Sequence, residues 1–492
     1  MSGPAPDDDT RPAPPVRTAY GTVRGTRERG VHVFRGIPYA AAPVGPHRFR
    51  APAPPERWDG VREAVAFGPT APKRPYAPPL DRLLPDPEVP GDGCLNLNVW
   101  TPAPGSARLP VLVWIHGGAL LHGSSAVPLY DGAAFARDGV VCVSLNYRLG
   151  TEGFGLFPDA PANRGLLDQI AALGWVRENI AAFGGDPDRV TVCGESAGAI
   201  CIGALLSAPR AAGLFRRAVL QSGAPTALPP DAARRTSALV ARRLGVPLTA
   251  RALAAVDPAA LLAAQTEVTA GGSPLTGGNS FQLVVDGELL PRDPLAALRD
   301  GASSGVDLLL GSTTEEYRLW FVPTGLTERF SRTRLRLALW RFRVPAATAR
   351  TYRANRPGAT PGELLGALAT DLLLRVPLNL LADARTGAAG STRLYEFGWP
   401  SPVQGLGACH GLEIGFVFDN LAGPDAVALA GPDAPRKLAA AMHTAWVRFA
   451  ESGDPGWPAW DGSRPVMRFG PGAPALVHAP RDDELRGWAP YR

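Results

Sequence analysis

Between positions 111 and 221 the chain alternates short apolar runs with helical periods, and no other feature narrows its possible folds as much. Residues 111–115 and 140–145 are apolar runs of strand length, too short for buried helices. Leu166, Ile170, Leu173, Val176, Ile180 and Phe183 then follow at steps of three or four, which keeps one helical face apolar. Residues 189–193 and 218–221 read as strands again, on either side of an apolar helical run that ends at Leu206. A strand that is apolar on both faces must be covered on both, and the intervening helices supply the cover. The expected class is α/β, with a mostly parallel central sheet between helical layers.

Runs at 31–34 and 97–100 add strands before this core, and 307–310 and 394–397 add strands after it. Residues 237–264 and 330–388 are mostly helical and rich in Ala and Arg, and are expected as insertions capping the sheet of one large domain spanning 16–492. The Pro-rich stretch from Pro69 to Pro90 reads as a long surface excursion, and the acidic, Pro-rich residues 1–15 as a disordered tail. That tail lacks the basic and apolar regions of a secretory signal, and no 18 consecutive apolar residues occur anywhere. Five cysteines (Cys94, Cys142, Cys193, Cys201, Cys409), an odd number without a CxxC pair, point to a reducing compartment. The expectation is a cytoplasmic protein with no membrane partner, a monomer or weak homo-oligomer.

The formal charge is +5, Lys73 and Lys437 are the only lysines, and the arginines read as scattered among acids without a stripe, which argues against a nucleic-acid partner. The seven histidines never recur at i+3 or i+4, and only Cys409 and His410 adjoin, so no metal is expected.

The pattern Gly-x-Ser-x-Gly occurs twice, around Ser196 and around Ser303. A nucleophile elbow needs a strand entering, a strained turn of small residues, and a helix leaving whose N-terminus faces the reacting carbonyl. Ser196 has all three, whereas Ser303 lies between a helical run and a strand, the reverse order. Ser196 is therefore the expected nucleophile.

Phe183-Gly184-Gly185-Asp186-Pro187 and Val190-Thr191-Val192-Cys193-Gly194-Glu195-Ser196-Ala197-Gly198-Ala199 resemble the signature of the type-B carboxylesterase family, which includes bacterial para-nitrobenzyl esterases and the cholinesterases. Asn146-Tyr147-Arg148-Leu149-Gly150, Gly165-Leu166-Leu167-Asp168-Gln169 and Gln221-Ser222-Gly223 extend the resemblance, which runs from about Val16 to Trp488 with a weak middle. It implies an α/β-hydrolase fold, serine esterase activity on small-molecule esters, and no cofactor. An acyltransferase, lactonase or cyclisation enzyme with the same residues, and a non-catalytic binding protein on the same fold, stay open as alternatives.

Serine needs an imidazole to take its proton and a carboxylate to hold that imidazole, in the chain order Ser, acid, His. Only His410, His443 and His478 follow Ser196. His443 falls inside a helical period and His478 in a Pro-flanked strand near the chain end, whereas His410 sits in a Gly-rich loop after a strand, where a catalytic base belongs. The resemblance agrees, through Ala408-Cys409-His410 with Glu413, Phe416 and Phe418. For the acid it selects Glu316, the second of the pair Glu315-Glu316, although Tyr317 stands where the family usually has Gly and leaves Glu315 open. It places oxyanion donors at Gly118, Ala119 and Ala197. His116 is expected to prop that loop, Glu195 to support the elbow from behind, and Arg48 with Asp92, and Arg148 with Asp168, to form ion pairs. Cys94 stands where secreted members carry a disulfide, but its partner position is Ala71, so none is expected. Leu120, Trp320, Phe321, Phe397, Trp399 and Phe416 are candidate pocket walls, with core packing open for each.

Overall fold

The computed structural model describes residues 11–272 and 278–488. Its centre is a twelve-stranded sheet. In chain order the strands are β1 (Arg11–Pro12), β2 (Thr26–Glu28), β3 (Val31–Pro38), β4 (Asn96–Thr101), β5 (Gly105–Ile115), β6 (Val141–Leu145), β7 (Phe183–Glu195), β8 (Arg217–Gln221), β9 (Asp307–Thr313), β10 (Thr392–Phe397), β11 (Pro465–Phe469) and β12 (Ala475–His478). Across the sheet they lie in the order β1-β2-β3-β4-β6-β5-β7-β8-β9-β10-β11-β12. From β6 to β11 all neighbours are parallel, and the strands at both margins pair antiparallel.

The period of two along the central strands sorts their side chains into two cores. Val111, Val113 and Ile115 share one core with Leu166 and Leu173 of helix α1 (Arg164–Asn179) and Ile202 of α2 (Ala197–Ser207). Leu112 and Trp114 point the other way, into a core with the later helix Arg436–Ser452 through Trp446 and Phe449. Leu308 and Leu310 divide from Leu309 in the same manner. Each such fully buried Leu or Val contributes about 1.5–3 kcal/mol relative to exposure. The α/β class with a mostly parallel sheet read from the sequence is the architecture observed.

The two helical stretches read from the sequence are helical here. The first is covered by Pro230–Leu244, Ala250–Ala254 and Pro258–Thr269. The second, preceded by the short helix α3 (Arg318–Phe321), holds α4 (Arg332–Arg341), α5 (Ala346–Asn355) and α6 (Pro361–Thr370), and α6 continues as helix to Ala384. Leu335, Tyr352, Leu364, Leu368, Val376 and Trp488 form a third, smaller core there. The helix Pro361–Ala384 is long and apolar enough to cross a bilayer by length and composition. It is mostly buried and carries the buried ion pair of Asp371 with Arg375, as a core helix does.

Four expectations need correction. The tail does not extend to residue 15: Arg11–Pro12 pairs with β2, because its backbone completes an otherwise bare strand edge, while residues 1–10 lie outside the described residues. The stretch from Pro69 to Pro90 is not a surface excursion throughout, since Thr70, Ala71, Lys73 and Leu83 are buried. Arg48 pairs with Glu152 at 2.7 Å and not with the exposed Asp92, whereas Arg148 does grip Asp168, at 2.6 and 2.8 Å. The arginines are not evenly scattered: nine stand between Glu328 and Arg356, against that single glutamate. All five cysteines are free and buried.

Candidate active site

The loops that leave the C-terminal ends of β5, β7, β9 and β10 carry the candidate residues, the end of a parallel sheet at which ligands bind in such folds. β7 runs through Glu195 into Ser196, and α2 begins at Ala197. Ser196 adopts φ +55° and ψ −122°, a conformation that costs a residue with a Cβ on the order of 1–3 kcal/mol. Its N–H donates to the Gln221 carbonyl of β8 at 2.9 Å, which holds the turn. Ser303 lies before β9, after the short helix Pro294–Arg299, and its hydroxyl donates to the Leu206 carbonyl at 2.6 Å.

β5 ends at Ile115 and the loop that follows crosses in front of Ser196. A Cβ on Gly117 would stand 2.8 Å from the Glu195 carbonyl oxygen and 3.1 Å from the Ser196 Cβ, so only glycine fits. Gly118, Ala119 and Leu120 then take φ of +108°, +54° and +62° in succession. A Cβ on Gly118 would meet the His122 carbonyl oxygen at 2.2 Å. Among the described residues no group accepts the N–H of Gly118 or Ala119. The N–H of Ala197, first residue of α2, is one of the donors a helix start leaves open. His116 is buried and stacks on Tyr147, whose hydroxyl donates to the His116 carbonyl at 2.8 Å. Burial pushes its imidazole down to about 4, so it props the loop as a neutral ring.

His410 and Glu316 are brought together. His410 Nδ1 lies 2.5 Å from Glu316 Oε2, and the other oxygen, Oε1, accepts from the Ser222 hydroxyl and the Thr313 N–H, both at 2.7 Å. Glu315, the competing acid, pairs instead with Arg318 at 2.6 Å and accepts the Ala408 N–H, away from the imidazole. Glu195 does not support the elbow from behind: its Oε1 faces His410 Nε2 at 2.9 Å, because the side chain of the residue before Ser196 points into the site. Burial would push the imidazole down, but the carboxylates of Glu195 and Glu316 override it and hold His410 well above the ordinary histidine range. A fourth group completes the cluster. Glu413 is fully buried, 3.3 Å from the Ser222 hydroxyl, and burial together with Glu195 and Glu316 raises its carboxyl to about 8. His443 instead sits in Arg436–Ser452 and donates from Nδ1 to the Val417 carbonyl at 2.8 Å, and His478 lies on β12 at the sheet margin.

The candidate walls divide. Trp320 tilts over His410 with ring centroids 4.8 Å apart, and Leu120 belongs to the loop beside Ser196. Phe397 and Phe416 are buried, 5.0 Å apart, with Trp399 against Phe416 at 5.3 Å, so these three form one aromatic cluster in the second core. Phe321 is buried against Tyr317. Sequence reasoning missed the anchor of the loop after β5: Asp86 accepts the Gly123 N–H at 3.1 Å and pairs with His122 and the buried Lys73. A lysine in an arginine-rich chain was the available signal, because a buried lysine needs a matching acid nearby. Among the described residues no group of His, Cys, Asp or Glu is placed to hold a metal ion.

Comparison with known proteins agrees with this geometry. The model of the Carboxylesterase family matches residues 12–468. The para-nitrobenzyl esterase of Bacillus subtilis is 41% identical over 90% of this chain and 92% of its own. The phenmedipham hydrolase of Pseudarthrobacter oxydans is 37% identical over 93% and 94% respectively. Among solved structures, the carboxylesterase EST55 of Geobacillus stearothermophilus superposes with a TM-score of 0.87 at 39% identity, covering 96% of this chain and 99% of that one. A serine in a strained strand-to-helix turn and a carboxylate-bound histidine, carried by loops at the same end of an α/β-hydrolase sheet, thus stand in a chain that belongs to the carboxylesterase family and is a carboxylic-ester hydrolase.

Proposed function

We propose that Ser196, His410 and Glu316 act as nucleophile, general base and orienting acid, with Gly118, Ala119 and Ala197 as the oxyanion donors. The observation that carries this reading is the imidazole itself, buried and bound through Nδ1 at 2.5 Å to an acid that two further donors fix. In the reactive form Nδ1–H donates to Glu316, which leaves the Nε2 lone pair for the Ser196 proton. Oγ adds to the ester carbonyl carbon, and the three N–H groups take the developing oxyanion, each supplying about 3–4 kcal/mol. The imidazolium then gives the Nε2 proton to the departing alcohol. Water repeats the sequence on the acyl-enzyme, releasing the acid and restoring Ser196. His410 reaches this form only after leaving Glu195 and losing a proton. Trp320 and Leu120 line the substrate space. The reading extends to a cytoplasmic location, supported by five free and buried thiols, and to a monomer or weak homo-oligomer.

The test is Ser196→Ala assayed with short-chain para-nitrophenyl esters, alongside mass spectrometry of wild type after a fluorophosphonate probe. The expected result is an adduct on Ser196 and a loss of turnover of several orders of magnitude with the fold intact. An unchanged rate in the variant overturns the assignment. An adduct without turnover, relieved by adding an alcohol acceptor, favours acyl transfer over hydrolysis.

A further inference from the structure

Nine arginines against one glutamate give the segment from Glu328 to Arg356 more net positive charge than the whole chain, whose total is +5, so the remainder is net negative. The same segment holds the three most exposed large apolar side chains among the described residues: Trp340 at 74%, Leu337 at 63% and Phe342 at 51%. α4 is anchored to the small third core by Leu335, its only buried residue, with the partly buried Leu339 beside it. Leu337 and Trp340 lie one turn apart on its outer face. Arg334 and Arg341 flank Leu337 at i−3 and i+4, and Arg336 flanks Trp340 at i−4. These three arginines, with Arg332, Arg350 and Arg353, are exposed, and among the described residues none pairs with an acid. Between α4 and α5 runs a groove of about 960 Å³, lined by Leu339, Trp340 and the arginines 336, 341, 350 and 353. It shares no lining residue with the catalytic cluster.

We propose that this face of α4 and α5 is a docking surface for an anionic lipid bilayer. Guanidinium groups suit phosphodiester head groups, an indole suits the boundary between head groups and acyl chains, and Leu337 reaches past it. Charge decides against the alternatives: a second copy would bring the same arginines face to face, and a neutral protein partner would leave them unpaired. At ten residues, about 15 Å, α4 lies on a membrane and does not span one. The expectation of no membrane partner rested on the lack of a spanning segment and did not address surface contact. The position is informative as well. α6 packs against both α4 and α3, and α3 carries Trp320, whose ring tilts over His410, so the docked face belongs to the insertion that borders the site. The proposal does not depend on the roles assigned to Ser196, His410 and Glu316.

The test is sedimentation of the full-length enzyme with vesicles of phosphatidylcholine alone or with a third of phosphatidylglycerol, at low and high salt. Wild type, Arg334→Gln/Arg336→Gln/Arg341→Gln and Leu337→Ser/Trp340→Ser are compared, and turnover of a soluble para-nitrophenyl ester, unchanged in each, certifies the fold. The wild type is expected to bind the anionic vesicles and release in high salt. Each arginine removed should weaken partition about fivefold, so the triple variant falls by roughly a hundredfold. Quenching of tryptophan emission by brominated lipid should be lost in Trp340→Phe. Equal binding to neutral vesicles, no binding at low salt, or binding unaffected by either set of substitutions overturns the proposal. So does capture of an oligonucleotide with the same arginine dependence while vesicles are ignored.

Discussion

Replacing Ser222 by Ala tests whether the acid of the site is held by design or merely lies there. The Ser222 hydroxyl donates to Glu316 Oε1 at 2.7 Å between two buried side chains, and Thr313 N–H is the only other donor to that oxygen among the described residues. Alanine removes one oxygen, keeps the backbone N–H that donates to the Gly311 carbonyl at 2.8 Å, and adds no bulk, so the sheet should survive. A hydrogen bond to a charged, buried group is worth about 1.5–3 kcal/mol. If that loss falls on the transition state, where the imidazolium leans hardest on Glu316, kcat drops roughly tenfold to a hundredfold at 1.36 kcal/mol per decade. KM should hold, since Ser222 touches no substrate in the proposed mechanism. The assay is steady-state turnover of a para-nitrophenyl ester, with thermal unfolding as the control. A kcat within twofold of wild type and an unchanged melting curve would refute the claim that this hydroxyl fixes the acid.

Glu195→Gln removes one of the two carboxylates that hold His410 well above the ordinary range, so the acid limb of the pH–rate profile should move to lower pH; an unmoved limb excludes Glu195 as a cause. Gly118→Ala drives a Cβ to 2.2 Å from the His122 carbonyl oxygen at a φ of +108°, and kcat should fall at least a hundredfold, as it does when an oxyanion donor is lost; near-normal turnover would show that Gly118 is not a donor. Glu413, raised to about 8 in the folded protein from its ordinary 4.5, keeps its proton while the unfolded chain releases it, so its contribution makes stability fall as pH rises between those values. Urea unfolding at pH 5.5 and 7.5 should show a smaller fall in Glu413→Gln than in wild type; equal falls would mean Glu413 ionises normally.

The turn at Ser196 was legible in the sequence because its requirement is local. A strand, a turn of small residues and a helix occupy consecutive positions around Ser196, and Ser303 fails the same local test. The sheet was legible for a related reason, since buried parallel strands are short apolar runs and the helices between them keep a period. His410 could be reached by elimination among three histidines. The acid could not, because Glu315 and Glu316 are adjacent, and only the fold turns one toward Ser222 and the other toward Arg318. Glu195 and Glu413 were harder still: the contact of Glu195 with His410 depends on side-chain direction, and that of Glu413 on a loop 191 residues beyond Ser222. The basic face of α4 is hidden in the sequence for another reason. Counted over the whole chain its charge is cancelled by acids that lie elsewhere in space.

The cluster around His410 has a consequence for how protons are counted. Three acids, Glu195, Glu316 and Glu413, surround one imidazole and one hydroxyl proton, that of Ser222. With its carboxyl raised to about 8, Glu413 carries a proton at neutral pH, and it can donate that proton to Ser222 while Ser222 donates to Glu316. Every polar hydrogen in that chain then has an acceptor. Ionising Glu413 breaks the chain and brings a further negative charge beside a buried pair, which is why the group resists it. In the proposed reaction the proton that leaves Ser196 arrives on His410 as the oxyanion forms, so the net charge of the buried cluster and substrate does not change during attack. The preceding step, in which His410 gives up a proton and parts from Glu195, is the one that changes it. pH and substitutions at Glu195 should therefore act mainly on the fraction of enzyme that is ready to react, and much less on the rate once it is ready.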